Sequence, residues 1–302
     1  MAYIVKYFKE FSDIREIVLE CEKDINLGYK IDVLSDLENS CDITHENIKF
    51  TFCENPMEQA VLTARSLFAE KCQFYLKKGG IYSADLSLYD NPEKIDELDY
   101  DEAIELAVSG YDDIDASTIS LAKRNSVRLE ILSLNDKKPT TIKEAAGTSI
   151  KPFKCITKDT DIIIITLTEI PDKKGSTYNI FKTLSDENVY VDSIMLPAAN
   201  HNQQDISFCI KSNDRQVVVD LLKDTKNCLE FKDLIVNESV AKISVTGDGL
   251  CMQPGIATKV LEVLYKCDIN VMMIVTTEVR FSVVLDKKYA DLAIQAIHKN
   301  LI

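Results

Sequence analysis

Residues 161–196 read DIIIITLTEIPDKKGSTYNIFKTLSDENVYVDSIML, and residues 241–276 read AKISVTGDGLCMQPGIATKVLEVLYKCDINVMMIVT. These are two copies of one pattern. Gly175 and Gly255 mark the same point, and Val189-Tyr190-Val191 falls on Ile269-Asn270-Val271 at the same offset. A further strand-like segment follows each copy, DISFCI from Asp205 and VRFSVVL from Val279. An internal repeat fixes architecture before any local reading.

Within a copy the periodicity is legible. Ile162 to Leu167 is a short apolar run suited to a buried strand, and Pro171 to Gly175 is turn chemistry. Ile180, Phe181 and Leu184 recur at helical spacing. Val189 to Met195 is β-branched, and Ile206 to Ile210 pairs with it. Val217, Val218, Leu221 and Leu222 then predict a second helix. The order β-α-β-β-α needs one more strand to give a ferredoxin-like unit. The second copy ends on its helix, Ala290 to Leu301. Its fourth strand is expected from Phe153 to Thr157, which makes the first copy an insertion within the second.

The tandem pair resembles ACT domains, the small-ligand sensors of amino-acid metabolism. The loop IPDKKG and the strand VYVDSI are similar to the ligand loop and facing strand of aspartokinases. TGDGLCMQPGIA followed by INVMMIVTTEVRFSVVL resembles the aspartokinase carboxyl terminus along its whole length.

Composition excludes several classes. A net charge of −14 argues against nucleic acid, because neutralising phosphates takes clustered Lys and Arg. No run of about 18 apolar residues suggests a membrane span, and MAYIVKYFKEF lacks the apolar centre of a signal peptide. Nine cysteines without CxxC spacing read as free thiols of a reducing cytosol. His45, His201 and His298 form no ligand motif, so no metal site is expected. Nine glycines occur where average usage of ~7% gives about twenty. Backbone cradles for phosphate need glycine, and ahead of Gly110 there are only Gly28, Gly79 and Gly80.

The amino-terminal half resembles a shrunken aspartokinase catalytic domain. MAYIVKYFKEFS begins as a strand, but the family's K-F-G-G-T-S loop reads Tyr7-Phe8-Lys9-Glu10-Phe11-Ser12 here. A helix from Ser12 or Asp13 to Cys21 follows, then a strand at Ile31 to Leu34. The family's long middle section is missing before His45 to Phe52. FCENPMEQA from Phe52 to Ala60 stands for the family's G-R-G-G-S-D-T-T-A, with Pro56 opening the helix. Gly80-Ile81-Tyr82-Ser83-Ala84-Asp85 matches the family's nucleotide segment, although the preceding aspartates are Lys77 and Gly79. The plainer reading of GGIYSAD is a β-strand ending in a Gly-Gly turn. Leu98 to Val108 is an amphipathic helix capped by Asp99 or Asp101, and another starts near Ala116. Val127 to Leu132 is a strand, and Asn135 to Gly147 a polar linker. Acids at Asp96, Glu97, Asp99, Asp101 and Glu102 fit a solvated helix start better than a metal or acid–base site.

The expected fold class is α/β: a remnant of an amino-acid-kinase sandwich over 1–150, then two ferredoxin-like βαββαβ ACT units. The first unit covers 160–236. The second covers 151–159 plus 237–302. With each glycine loop or carboxylate element replaced, no catalytic residue is assigned; each lost electrostatic contributor costs ~100-fold or more in rate. Gly80, Tyr82 and Asp85 are the nucleotide-binding remnant. For an amino-acid effector the candidates are Pro171, Asp172, Gly175, Ser176, Thr177 and Asp192 in the first copy. Gln253, Thr276, Thr277 and Glu278 are their counterparts in the second. Free N–H groups at a helix start suit a carboxylate, and acids suit an ammonium. In the first copy Leu196, Pro197 and Ala198 replace the Thr-Thr-Glu of the second. The resemblance implies a cytoplasmic, amino-acid-sensing protein, lysine- or threonine-type. It would dimerise through its ACT units and modulate a full-length aspartokinase, with no cofactor. An active aspartate kinase using ATP and magnesium, or an interaction scaffold, are the alternatives.

Overall fold

The computed structural model describes residues 2–9, 14–35, 46–89, 91–134, 138–144, 151–197, 202–248, 250 and 254–302. Three sheets organise them. In the amino-terminal unit β1 (Tyr3–Phe8), β2 (Lys30–Ser35), β3 (Ile48–Phe52), β4 (Lys71–Tyr75), β5 (Glu97–Asp99), β6 (Leu129–Leu132) and β7 (Thr140–Lys143) form one sheet in the order β3-β2-β1-β4-β6-β7-β5. Strands β3, β2, β1, β4 and β6 run parallel, and β7 runs against β6. Helices cover both faces, as parallel strands require. The period of two decides which residue meets which layer. Val5 and Tyr7 pack towards α2 (Pro56–Ser66), α3 (Tyr100–Val108) and α4 (Ala116–Asn125), whereas Ile4 and Phe8 pack towards α1 (Ile14–Ile25).

Local signals explain several boundaries. Pro56 opens α2, where its missing N–H costs nothing. Asp99 is the cap of α3. Its side chain accepts from Glu102 N while Glu102 returns a bond to Asp99 N, a reciprocal capping box. Two expectations are corrected. Residues 138–144 are not wholly linker, because Thr140–Lys143 supplies β7 between β6 and β5. GGIYSAD is not a strand but a loop with one isolated bridge, Tyr82 to Lys94. The Ser12 or Asp13 cap falls outside the described residues, and α1 runs on to Ile25.

The repeats build the other two sheets. The first comprises β9 (Ile162–Pro171), β10 (Val191–Met195), β11 (Gln203–Lys211) and β12 (Leu234–Asn237), in the order β10-β11-β9-β12. Helices α5 (Ser176–Asp186) and α6 (Arg215–Asp224), with the short α7 (Lys226–Leu229), cover one face over a core of Ile165, Leu167, Ile180, Leu184, Phe208, Leu222 and Leu229. The second comprises β13 (Val240–Thr246), β14 (Val271–Thr276) and β15 (Arg280–Asp286), under α8 (Ile256–Lys266) and α9 (Ala290–Leu301). Its fourth strand is β8 (Cys155–Asp159), which pairs with β13 two residues further along than the expected Phe153–Thr157. The chain therefore passes through the whole first sheet between two strands of the second. The copies match in backbone detail: Gly175 and Gly255 start their helices at φ 95° and 88°, and Asn188 and Asp268 leave them at φ 57° and 56°.

The units are bolted together by polar contacts. Lys154 pairs with the buried Glu102 at 2.7 Å, and Arg280 with Glu105 at 3.0 Å, joining α3 to the second copy. Burial raises the Glu102 carboxyl above its usual range despite the lysine. No helix among the described residues is long and apolar enough to cross a membrane.

Candidate functional sites

Two places invite a ligand. The first is the rim of the amino-terminal sheet. In an open parallel sheet ligands sit beyond the carboxyl ends of the strands, where the strand order reverses. That point lies between β1 and β4, and Lys9 N donates to Tyr75 O across it at 3.0 Å. A cleft of about 280 Å³ opens there, lined by Tyr7, Lys9, Asn55, Met57, Asp115 and Thr118 among others. Lys9 Nζ reaches the Asp113 carbonyl at 3.1 Å. Thr118 is fully buried and its Oγ1 has no partner. Tyr7 is buried in the core, and neither Asn55 nor Asp115 caps its helix with a side chain. No glycine is among the described residues that line the cleft, and its carboxylates are Glu58 and Asp115.

The nucleotide remnant is brought together but closed over. Gly80, Tyr82 and Asp85 line one cavity with Lys78, Tyr111, Cys155, Thr157 and Lys158. Its volume is about 80 Å³, against roughly 300–1,000 Å³ for small-molecule pockets. Residues of β8 line one wall of it, and a space of that size does not fit ATP. Asp85 accepts from Ser87 N and Oγ, both at 2.7 Å. Burial pushes its carboxyl up, but those bonds, with Lys78 and Lys158 nearby, hold it below its usual range.

The same loop is clamped to α9. Ser83 Oγ lies 2.8 Å from His298 Nε2 and accepts from Glu93 N at 3.0 Å, while the Tyr89 ring packs against the imidazole at 3.9 Å, tilted by 42°. His298 Nδ1 is buried without a partner. Burial lowers the His298 pKa, and Glu93 opposes only in part. Below about pH 6.5 the unfolded chain takes this proton and the folded one resists it, so stability falls as pH drops from there towards the folded pKa. Urea unfolding at pH 7.5 and 5.5 should show a loss in the native protein that is smaller in His298→Gln. Equal losses in both would refute the assignment.

The second place is the loop end of each repeat. Strand β13 is antiparallel to β15 and β15 to β14, so β13 and β14 finish at one end of the sheet. The loop into α8 and the β14–β15 turn are thus neighbours, and Gly247 N donates to Val279 O at 3.0 Å. Thr276 ends β14 and is exposed. Thr277 closes the turn, donating N–H to Arg280 O at 2.8 Å and accepting Arg280 N at its Oγ1. Glu278 stands exposed at the tip. Gln253 lies outside the described residues.

In the first copy, Pro171, Asp172, Gly175, Ser176 and Thr177 gather at the equivalent end. Ser176 Oγ donates to Pro171 O at 2.8 Å, and Asp172 N to Asn202 O at 2.8 Å. Asp192 is elsewhere. Its neighbour Val191 pairs with Ile210, which pairs with Ile163 near the start of β9, whereas Pro171 ends that strand. At ~3.3 Å per residue the two groups stand on the order of 20 Å apart. Asp192 Oδ2 instead accepts Lys242 Nζ at 3.0 Å. Sequence reasoning missed Lys242, Thr118 and the Ser83–His298 contact.

Comparison with known proteins bears on both sites. Residues 58–133 match the amino acid kinase family, and residues 243–301 match the ACT domain. An aspartokinase of Bacillus sp. (strain MGA3) is 30% identical over 242 residues, covering 80% of this chain and 59% of that protein. The chain belongs to the aspartokinase family. The Pseudomonas aeruginosa aspartokinase is 29% identical over 242 residues, covering 79% of this chain and 59% of its own length. This family member therefore spans 59% of the length of these two relatives. The crystal structure of Clostridium acetobutylicum aspartate kinase shares the aspartokinase fold, with a TM-score of 0.76 at 16% identity over 95% of this chain and 74% of that one.

Proposed function

We propose that this protein is a regulatory member of the aspartokinase family. It senses an amino acid of the aspartate family, lysine or threonine, without transferring phosphate. The observation that supports this best is the loop end of the second copy. There the start of α8, Thr276 and the exposed Glu278 converge, offering N–H groups for a carboxylate and an acid for an ammonium. The replaced kinase positions and the small cavity at Gly80, Tyr82 and Asp85 favour the same reading. Pairing of two copies through their sheet edges is supported by exposed Ile194, Met195 and Leu196 at β10 and by Met272 and Ile274 on β14. A full-length aspartokinase is the natural target, in a reducing cytosol that keeps the thiols free.

A thermal-shift panel with lysine, threonine, methionine, aspartate and Mg-ATP tests the proposal. A ligand held at ~100-fold above its dissociation constant adds ~2.7 kcal/mol, a visible rise in melting temperature. A rise with lysine or threonine alone is the expected result. A rise with Mg-ATP and aspartate would instead favour an active kinase, a reading that the 280 Å³ rim cleft and the unpartnered Thr118 hydroxyl keep alive.

A further inference from the structure

Both repeats carry a bulge at the same place. Val191 pairs with Ile210 and Ser193 with Cys209, which leaves Asp192 opposite no residue of β11. In the second copy the bulged residue is Met272. A bulge re-aims the side chain it adds. Here Asp192 meets Lys242 of β13, across the seam between the two copies.

The seam holds four charges. Lys242 Nζ lies 3.0 Å from Asp192 Oδ2 and 4.0 Å from Asp159 Oδ2. Lys211 Nζ donates to that same Asp159 oxygen at 2.9 Å. The pairs cross: a lysine of the second copy meets an acid of the first, and a lysine of the first meets an acid at the end of β8. Ser193 Oγ donates to Asp192 at 2.7 Å, and Asp161 N to Asp159 Oδ1 at 2.9 Å. Lys242 is 1% exposed and Asp159 4% exposed. Ile162, Ile164, Cys209, Val240, Met273 and Val284 close the surroundings. A buried ammonium persists only where it is paired.

We propose that Lys242 is a tethered occupant of a cation seat between the copies, a seat whose carboxylates would otherwise take a free primary ammonium. Two acids and two lysines balance there; without Lys242 the seat carries one net negative charge. Asp192 is thereby withdrawn from any effector, and sensing falls to the loop end of the second copy. That last step alone rests on the sensor reading.

The test uses the full chain. Lys242→Ala removes the propylammonium part of the side chain and keeps Cβ. It should melt roughly 5–10 °C below the native protein. n-Propylammonium chloride should restore at least half of that loss. Sodium chloride or tetramethylammonium chloride at equal ionic strength should not, since neither donates an N–H. Lys242→Met fills the channel with an uncharged chain and should melt low without rescue. The native protein should respond to all three salts alike. Native-like melting of Lys242→Ala, or equal rescue by sodium, would overturn the proposal. If Lys242→Ala does not fold, Lys242→Ala/Asp192→Asn should fold, because it removes an unpaired, half-buried carboxylate. A double variant no better than the single would also overturn it. Asp192→Asn should leave any effector-driven shift unchanged. Absence of every such shift would sink the sensor reading while the propylammonium result stood.

Discussion

Gly110→Ala should destabilise the protein by roughly 2–5 kcal/mol, combining left-handed strain with overpacking. Gly110 follows α3 at φ +110°. A Cβ there would lie 2.5 Å from the Lys158 carbonyl oxygen and 3.1 Å from its carbon. Those atoms are the backbone of β8, held in register against β13, so no side chain can swing aside. Gly28 is the control. It sits at φ +93° with nothing within 4 Å of its missing Cβ, so Gly28→Ala should cost only about 1–2 kcal/mol of strain. Urea unfolding of both variants separates the terms. For Gly110→Ala the transition should also broaden or split, because the collision falls between the amino-terminal unit and the second copy. Two variants of equal, small effect would mean that β8 yields.

Lys6→Ala should cost about 3–5 kcal/mol, the usual penalty for removing one partner of a buried ion pair. Lys6 is fully buried in the middle of β1. Its ammonium meets Asp24 at 2.6 Å, Tyr75 OH at 3.2 Å and the Glu20 carbonyl at 3.3 Å. Tyr75 OH donates in turn to Glu20 Oε1 at 3.1 Å, and its ring stacks on Phe8 at 4.3 Å. The lysine is the hub that lets α1 carry two acids against the sheet. Asp24 keeps a side-chain exposure of 18%, so part of its charge can find water and the loss should sit low in that range. The adjacent Cys21 thiol gains no reactivity from the ammonium, because burial pushes its pKa up to about 12. Guanidinium melts of Lys6→Ala and Lys6→Met give the comparison. Methionine should recover part of the loss by filling the stem's volume, and a Lys6→Ala protein as stable as the native one would refute the hub.

The repeats were legible because each copy states the same strand, turn and helix twice, and an alternation shared at two places is hard to produce by chance. Even the origin of the missing strand could be read, since the second copy had one too few and only the segment before the first was unassigned. Side-chain partners across units were not legible. Lys242 stands in VAKISVT, where period two puts it on the face opposite Ala241 and Ile243, a face that reads as solvent. Nothing local says that the first copy covers that face. Asp192 failed for a related reason: strand alternation gives a side, but a bulge changes the side without leaving a mark in the residue types. Thr140–Lys143 read as linker because two threonines and a lysine flank a single isoleucine. Its place is set by pairing with β6 and β5, which no window of the chain contains. The smallness of the cavity at Gly80, Tyr82 and Asp85 escaped notice too, since these residues keep their identities while residues some seventy positions later wall the space in.

The insertion of one repeat inside the other has a consequence for the order of events on the ribosome. Strand β8 emerges early but has no sheet to join until β13 appears, so Thr157 must wait for Ser244. Meanwhile β9 to β12 complete a sheet of their own, and Asn237 comes to rest beside Ile164. The entry and exit of the first repeat are then adjacent, and a long flexible tether has become a short tied one. Closing a tied loop costs far less entropy than closing the open chain. The first repeat would then act as a folding clamp for the second, and a lesion in its core, at Phe208 for instance, should surface as delayed assembly of the neighbouring sheet.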